Sequence, residues 1–195
     1  MMKHRSIVIL GIIVLAAILF LTFGFPKPPE GLSEAAISAN VIENENKLAE
    51  GIDIPINKET SSFTFEGFGP GKSHVGTFNQ YEVNLITKEG EIVGLKGAIA
   101  VDSVNTEIDK LTEDLKGKNF FDAATYPEIR FVSEQIKDRE MTGELTFRGV
   151  TKTISFPVAV SDSGISSNFV LNTEEFGIKT AFAEEDVVIN FNFRK

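Results

Sequence analysis

The chain has no cysteine among its 195 residues. That absence excludes disulfides, thiolate catalysis, thiolate-bound metals and a lipoprotein-type cysteine anchor. Tryptophan is also absent, and tyrosine occurs twice against 17 phenylalanines. Because phenylalanine carries no polar group, these aromatic residues favour either a packed interior or an apolar cavity.

Basic clusters are also missing from the part that follows the N-terminal apolar run. Lys and Arg number 19 against 28 Asp and Glu, which gives a formal net charge of −9. We predict no nucleic-acid partner, since little is available to neutralise phosphates. The length leaves room for one barrel or sandwich domain plus an appendage.

An apolar run covers residues 7–25 and follows Lys3, His4 and Arg5. At about 1.5 Å per residue, a helix of this length spans roughly 28 Å, close to the hydrocarbon thickness of a bilayer. Positive charge before the run predicts a single-pass signal anchor at 1–25, with a cytoplasmic N-terminus and an extracytoplasmic remainder, periplasmic or cell-surface. The alternative is a cleaved signal peptide, which requires a small-x-small site that residues 23–26 do not offer.

Residues 26–57 are interpreted as a linker. The proline-rich stretch at 26–31 is typical of a stiff spacer. The following Leu32–Glu50 segment fits either a short helix, with Leu32, Ala36 and Ala39 on one face, or a continuation of the linker.

The remaining residues, 58–195, show apolar residues at every second position, which is the pattern of half-buried strands. The alternating positions are Phe63/Phe65, Tyr81/Val83/Leu85, Ile129/Phe131, Leu145/Phe147, Ile154/Phe156/Val158/Val160, Phe169/Leu171 and Ile189/Phe191/Phe193. Turn signals separate the strands at Lys88-Glu89-Gly90, Lys137-Asp138, Arg148-Gly149 and Ser161–Gly164. Short connections of this kind predict an all-β, antiparallel barrel of about eight strands.

One segment departs from this alternation. Thr106–Gly117 is predicted to be a short helix, with Thr106 as N-cap, Ile108, Leu111 and Leu115 on one face, and Gly117 as the stop. Phe120 and Phe121 follow at once, so the helix is expected to bring two large apolar side chains against the sheet.

Catalysis finds little support in the sequence. His74 has Ser73 beside it, but neighbouring residues on one strand point to opposite faces. His74 is therefore better interpreted as a residue that satisfies backbone hydrogen bonds or as a polar contact at a cavity.

Metal and phosphate sites are not indicated either. A zinc site requires several converging ligands, and the only other histidine is His4. The acidic groups Glu174-Glu175 and Glu184–Asp186 lack the pattern of a calcium loop and are interpreted as solvated loop charge. The glycines in 67–71 lack a following Gly-Lys-Ser/Thr and are interpreted as a turn or bulge.

A series of landmarks resembles the YceI-like family. They are Ser73–Phe78, Asp102–Thr106, Phe120-Phe121-Asp122, Tyr126-Pro127, Gly143–Thr146, Gly149–Lys152 and Phe176-Gly177-Ile178. The resemblance implies a lipocalin-like barrel that encloses an isoprenoid or other lipid tail, in an extracytoplasmic protein that is not an enzyme.

The resemblance also implies a set of cavity residues. The ligand-binding candidates are Phe63, Phe65, His74, Phe78, Leu111, Leu115, Phe120, Phe121, Phe131, Phe147, Phe156, Phe169 and Phe191. Head-group contacts are expected from Lys72, His74, Arg130 and Arg148. No cofactor is expected beyond a bound isoprenoid, quinone or fatty amphiphile.

Two other functions stay open. The Phe side chains could fill the barrel of a structural or interaction module that has no ligand. A lipid-modifying enzyme would require His74 to face the bore beside an acid or a hydroxyl group. The oligomeric state is open.

Overall fold

A computed structural model describes residues 25–38, 49–181 and 183–195. The predicted signal anchor lies outside these residues except for Phe25, so it stays a prediction. Within the described ranges, none of the helices has the length and hydropathy that a bilayer crossing requires.

The described residues form thirteen strands and one α-helix. The strands are β1 Ala36–Ser38, β2 Ile52–Pro55, β3 Ser62–Gly69, β4 Lys72–Phe78, β5 Tyr81–Lys88, β6 Glu91–Ala100, β7 Val104–Thr106, β8 Glu128–Lys137, β9 Glu140–Phe147, β10 Val150–Pro157, β11 Ala159–Ser161, β12 Gly164–Asn172 and β13 Asp186–Arg194. The helix, α1, is Asp109–Lys116. The expected number of about eight strands is too low because β1, β2, β7 and β11 have only three or four residues each, too few to show alternation.

The strands form two antiparallel sheets. The first has the order β1-β10-β9-β8-β6-β5-β2, and the second has the order β11-β12-β13-β3-β4-β7. Their inner faces share one hydrophobic core, to which strands of both sheets contribute. The predicted mostly antiparallel β fold with one short helix is confirmed.

Three tight hairpins confirm the predicted turns. Their central residues have positive φ: 54° and 89° at Glu89-Gly90, 52° and 65° at Asp138-Arg139, and 49° and 72° at Arg148-Gly149. Such two-residue turns match the right-handed twist of the flanking strands.

Residues 32–38, which we call the N-terminal strap, join the two sheets along one side. The Ala35 N–H donates to the Val170 carbonyl at 2.8 Å, and the Val170 N–H donates to the Ser33 carbonyl at 3.0 Å. The strap then continues as β1, which pairs with β10 in the other sheet. The helix considered for 32–50 is therefore not found in its described part 32–38, where backbone groups bond to the two sheets.

The segment 26–57, interpreted from the sequence as a linker, also contributes β2 to the sheet edge beside β5. After β2, the Ile56 N–H donates to the Val83 carbonyl at 3.1 Å, and the Asn57 N–H donates to the Arg194 carbonyl at 2.8 Å. These bonds attach the segment to both sheets.

Helix α1 begins later than predicted. Thr106 is the last residue of β7 rather than the N-cap, and its backbone N–H donates to the Thr112 hydroxyl at 2.9 Å. The N-cap is Ile108, which is 38% exposed and so does not share the packed face of Leu115. The predicted stop at Gly117 is confirmed.

The predicted alternation also fails at one position. Val160 is 43% exposed, whereas Val158 is buried. The chain leaves β10 at Pro157 and enters β11 in the other sheet, and this change of sheet ends the alternation.

The two ends of the structure differ. At one end, the turn at Arg148 lies against Gly177, because the guanidinium donates to the Gly177 carbonyl at 2.8 Å. At the other end, the Lys195 N–H donates to the Ser163 carbonyl, and the Val158 N–H donates to the Arg139 carbonyl. The core at this second end contains Met141, Ile165, Ile92 and Val158. These side chains fill the second end, so the cavity described next opens at the first.

Candidate ligand-binding cavity

A cavity of about 320 Å³ lies between the two sheets. Its volume is at the lower end of the range typical of small-molecule pockets, roughly 300–1,000 Å³. The wall is almost entirely apolar and is built from the inward-facing residues of both sheets together with α1 and the segment after it. Such a wall offers dispersion contacts and few hydrogen bonds, which suits a hydrocarbon chain.

The residue pair that follows α1 forms one side of the wall. Phe121 contacts Phe65, Phe78 and Phe147, with ring centroids 5.9, 5.9 and 5.7 Å apart. Tilted and edge-on arrangements at these distances each contribute about 0.5–1.5 kcal/mol beyond burial. The prediction that this segment places large apolar groups against the sheet is confirmed.

A second aromatic group lies where β10 faces β12 and β13. Phe156 stacks on Phe169 at 4.3 Å with an interplanar angle of 9°, and it meets Phe191 edge-on at 6.2 Å. Phe131 packs on the same ring at 5.6 Å. These contacts link the two sheets, and all four phenylalanines line the cavity.

Polar groups reach the cavity at the end that carries the β3–β4 hairpin and the loop between β12 and β13. The lining there includes Gly67, Pro70, Thr180, Glu184 and Glu185. We call this end the mouth. An ideal Cβ at Gly67 would meet nothing within 4 Å, so there is open space beside the backbone at this point.

Backbone hydrogen bonds fix the shape of the mouth. The Glu184 N–H donates to the Phe68 carbonyl at 2.9 Å, which joins the loop to the hairpin. The Glu185 carbonyl accepts from the Thr173 N–H at 2.8 Å and from the Thr173 hydroxyl at 2.7 Å. The two glutamates therefore have fixed backbone positions beside the cavity.

His74 also lines the cavity. It lies opposite Gly67 in the β3–β4 ladder, and its side chain makes no hydrogen bond or ion pair with another residue that the structure describes. Its neighbour Ser73 pairs with Phe68 and is not part of the lining. The expectation that Ser73 and His74 face opposite sides of the strand is confirmed, and no nucleophile–base pair forms between them.

Two of the cations near the mouth form ion pairs. Lys152 forms an ion pair with Glu175, and Lys179 forms one with Glu174. The hydrogen bond that Lys179 donates to Glu174, together with the negative charge of that carboxylate, raises the pKa of Lys179 above its ordinary value.

All thirteen predicted cavity residues, from Phe63 to Phe191, lie on the wall of this one cavity. Their role in ligand binding stays a prediction. Sequence reasoning missed the aliphatic residues between them, among which are Ile129, Leu145 and Ile154. These share the period of two with their Phe neighbours, so the same alternation could have identified them.

Only one of the four predicted head-group residues lies on the cavity wall. His74 lines the cavity, but Lys72, Arg130 and Arg148 are not among the described lining residues. Arg130 pairs with Glu128 instead, and Arg148 donates to backbone carbonyls. The structure places Glu184 and Glu185 at the mouth, where sequence reasoning expected only solvated loop charge.

Metal ligands do not converge in the described part of the chain: no group of three or more His, Asp or Glu side chains there could hold an ion.

The fold and the cavity define the class: an antiparallel β protein with an apolar cavity between its two sheets. The particular family follows from a match of the YceI-like domain model to residues 55–194. The chain belongs to the YceI-like family, as the landmark residues predicted.

Two similar proteins come from staphylococci. UPF0312 proteins of Staphylococcus aureus strain MSSA476 and of Staphylococcus epidermidis strain RP62A are each 26% identical over 121 residues, which is 60% of this chain and 70% of the relative.

Three solved structures are similar in fold. BcnA of Burkholderia cenocepacia has a TM-score of 0.64 at 21% identity, covering 71% of this chain and 98% of BcnA. A polyisoprenoid-binding domain of Saccharophagus degradans has a TM-score of 0.56 at 16% identity, covering 71% and 95%. The YceI protein of Campylobacter jejuni has a TM-score of 0.51 at 26% identity, covering 62% and 84%. The first two show a common fold only.

Proposed function

We propose that this protein is an extracytoplasmic, membrane-anchored binding protein that encloses an isoprenoid or another lipid-like amphiphile in its cavity. The observation that carries the proposal is the Phe-walled cavity of about 320 Å³, filled by side chains at one end and bordered by polar residues at the other. An amphiphile matches this arrangement, because its tail needs apolar contacts and its head needs polar ones. The similar Saccharophagus degradans domain is described as polyisoprenoid-binding.

The energetics support a tail of a few isoprene units. Burying one CH₂ group contributes about 0.8 kcal/mol, so a five-carbon unit contributes on the order of 3–4 kcal/mol. Association opposes this with at least about 4 kcal/mol of lost translational and rotational freedom, and ordering of the chain adds more. Several buried units therefore give affinity of about micromolar or better.

The position of the N-terminal strap limits the distance between the cavity and a membrane that holds the apolar run. The strap starts at Leu32, seven positions after the last residue of the apolar run, Phe25. Seven extended residues reach at most about 25 Å. With the run as a signal anchor, the cavity stays near the bilayer surface, where an amphiphile is at high effective concentration. This arrangement favours local storage or shielding over long-distance transport.

The cavity favours ligand binding over the alternative of a filled structural module, since the Phe side chains border open volume instead of closing it. A lipid-modifying enzyme receives less support. His74 faces the cavity, but Ser73 faces away from it, and the structure shows no hydrogen bond between the His74 side chain and an acidic residue in the described ranges.

Native mass spectrometry of the full chain, purified from membranes, tests the proposal. We expect a stoichiometric added mass that organic extraction identifies as a prenyl or acyl amphiphile. A protein that is ligand-free, and stays so after incubation with quinones, polyprenols and polyprenyl phosphates, would support the filled-module alternative.

Protease treatment of intact cells and of spheroplasts tests the location separately. In spheroplasts, which lack an outer barrier, protease added from outside should digest the folded domain, while the N-terminal residues stay membrane-bound. In intact cells the domain is digested only if no outer barrier covers it. Digestion only after the cytoplasmic membrane is broken would overturn the proposed orientation.

A further inference from the structure

The outer face of the second sheet carries a groove beside the N-terminal strap. Its described lining includes Pro29 and Leu32 from the N-terminal segment, together with Glu66, Val75, Asn168 and Asn190 from the sheet. Glu66 is the only charged residue among the described lining residues. Val75 is 52% exposed, so an aliphatic side chain lies open to solvent on this face.

The outer face of the first sheet has a different character. Two ion pairs lie on it, Asp53 with Lys96 and Glu128 with Arg130. Lys96 and Arg130 occupy positions that alternate with residues of the cavity wall, so they belong to the outer side of their strands. In a chain with a net charge of −9, the groove is therefore a region of low charge on one side of the domain.

The N-terminal segment fixes where the apolar run ends relative to this groove. Pro29 lines the groove and comes four positions after Phe25, the last residue of the run. Four extended residues reach at most about 14 Å. Leu32 holds the segment on this face, because it packs against Phe68 and Val188. The end of the run therefore lies within about 14 Å of the groove, whereas the first sheet lies about 10 Å further away, behind the second.

We propose that the outer face of the second sheet, around this groove, docks on the phospholipid head groups of the bilayer that holds the apolar run. This inference rests on the membrane anchoring in the proposed function and specifies which face of the domain contacts the membrane. The exposed amides of Asn168 and Asn190 can donate hydrogen bonds to phosphate and ester oxygens, and Val75 adds apolar contact. An acidic domain also meets the least repulsion from anionic lipids on its least charged side.

The absence of cysteine allows each face to be labelled at a single position. Val75→Cys carries a fluorophore on the outer face of the second sheet. Arg130→Cys carries the same fluorophore on the outer face of the first sheet, where the side chain is 68% exposed. The full chain is reconstituted in phosphatidylcholine nanodiscs that contain a lipid with a nitroxide quencher in its head group. We expect quenching at least about twofold stronger for the Val75→Cys label, since the sheets alone separate the two positions by about 10 Å.

A charge-changing variant tests whether the face contacts the head groups. Asn168→Asp/Asn190→Asp keeps the size of both side chains and adds two negative charges to the groove. In nanodiscs that contain anionic phosphatidylglycerol, we expect it to weaken quenching of the Val75→Cys label about twofold, because the lipid surface repels the added carboxylates. The matched control is Asn84→Asp/Gln135→Glu, which adds the same charge to β5 and β8 of the first sheet. It should leave the quenching unchanged, since charges beyond about a screening length of 10 Å have little effect.

The outcomes separate this inference from ligand binding, which native mass spectrometry measures on the same samples. Equal or stronger quenching of the Arg130→Cys label, or unchanged quenching in Asn168→Asp/Asn190→Asp, would overturn the inference while a bound amphiphile leaves the binding function standing. A second copy of the chain is the alternative occupant of the groove. Excimer emission from pyrene on Val75→Cys, without head-group quenching, would assign the face to that copy and overturn the inference. A full chain that does not co-purify with nanodiscs would count against the membrane anchoring itself, and the inference would fall with it.

Discussion

The ring of Phe65 lies directly on the backbone of Gly76, its partner in the β3–β4 ladder. An ideal Cβ at residue 76 would lie 2.2 Å from Cζ of Phe65 and 2.6 Å from Cε1. Real Cβ atoms do not approach other atoms so closely, so only glycine lets the ring take this position. The same ring also contacts Phe78 and Phe121, which links this close approach to the shape of the cavity wall.

Replacing Gly76 with Ala should displace the Phe65 ring toward the cavity. Overpacking of this kind typically destabilises by about 1–3 kcal/mol. We expect the free energy of unfolding, measured with urea, to fall by this amount, and ligand occupancy to fall as well. Gly67→Ala is the matched control, because an added Cβ there meets nothing within 4 Å. Equal stability of the two variants would show that Phe65 can move without loss.

A larger side chain at Gly67 should block the mouth. Gly67 shares the inward face of β3 with Phe65 and lies opposite His74. We expect Gly67→Leu to fold normally and to bind much less ligand, because the added side chain extends into the opening. Native mass spectrometry measures the occupancy, and thermal unfolding monitors the fold.

The control for this blocking variant is Ser73→Leu, which adds the same side chain to the same hairpin at a residue outside the cavity lining. Its ligand occupancy should match that of the unmodified chain. Full occupancy of Gly67→Leu would show that the ligand enters elsewhere.

The long strands were predictable because burial on one face imposes a period of two on the sequence. Phe63 and Phe65 in β3, or Ile189 and Phe191 in β13, show this period directly. The turns were predictable as well, since positive φ at Gly90 and Gly149 is a local requirement. These features depend on residues close together in the chain.

Other features depend on partners that are distant in sequence. The strap is held by backbone bonds between Ala35 and Val170, and backbone groups leave no trace in side-chain identity. For the same reason, nothing local distinguishes Glu184 and Glu185 at the mouth from ordinary loop acids. Thr106 shows a different limit, because a threonine before a helical segment is typical of an N-cap, whereas the actual N-cap lies two residues later at Ile108. The Thr106 hydroxyl donates to the Ile108 carbonyl, and the Thr106 N–H donates to the Thr112 hydroxyl.

Removing the Ser133 hydroxyl should destabilise the sheet. Ser133 is fully buried, and its Oγ accepts a hydrogen bond from the Leu95 N–H at 2.9 Å. Ser133→Ala would leave that buried donor without its acceptor, which costs about 1–3 kcal/mol. Urea unfolding measures the loss. The control is Ser62→Ala, at an exposed residue whose hydroxyl makes no hydrogen bond with another described residue, and it should change stability by less than about 0.5 kcal/mol. A loss at Ser133 no larger than that of the control would mean that another group accepts from Leu95.

The strap should contribute to the stability of the whole domain. Leu32 packs against Phe68, Val170 and Val188 on the outer face of the second sheet, so Leu32→Ala removes partly buried apolar surface. We expect a loss of about 1–2 kcal/mol, below the 2–5 kcal/mol typical of fully buried leucines. For a chain of this size the melting temperature should fall by roughly 2–8 °C.

Glu30→Ala is the matched control for the strap, because Glu30 is exposed and lies two residues before Leu32. Its melting temperature should stay within about 2 °C of the unmodified chain. If Leu32→Ala melts like this control, the strap is held by its backbone bonds to Val170 and β10 alone. The cavity domain would then be expected to tolerate any side chain at position 32.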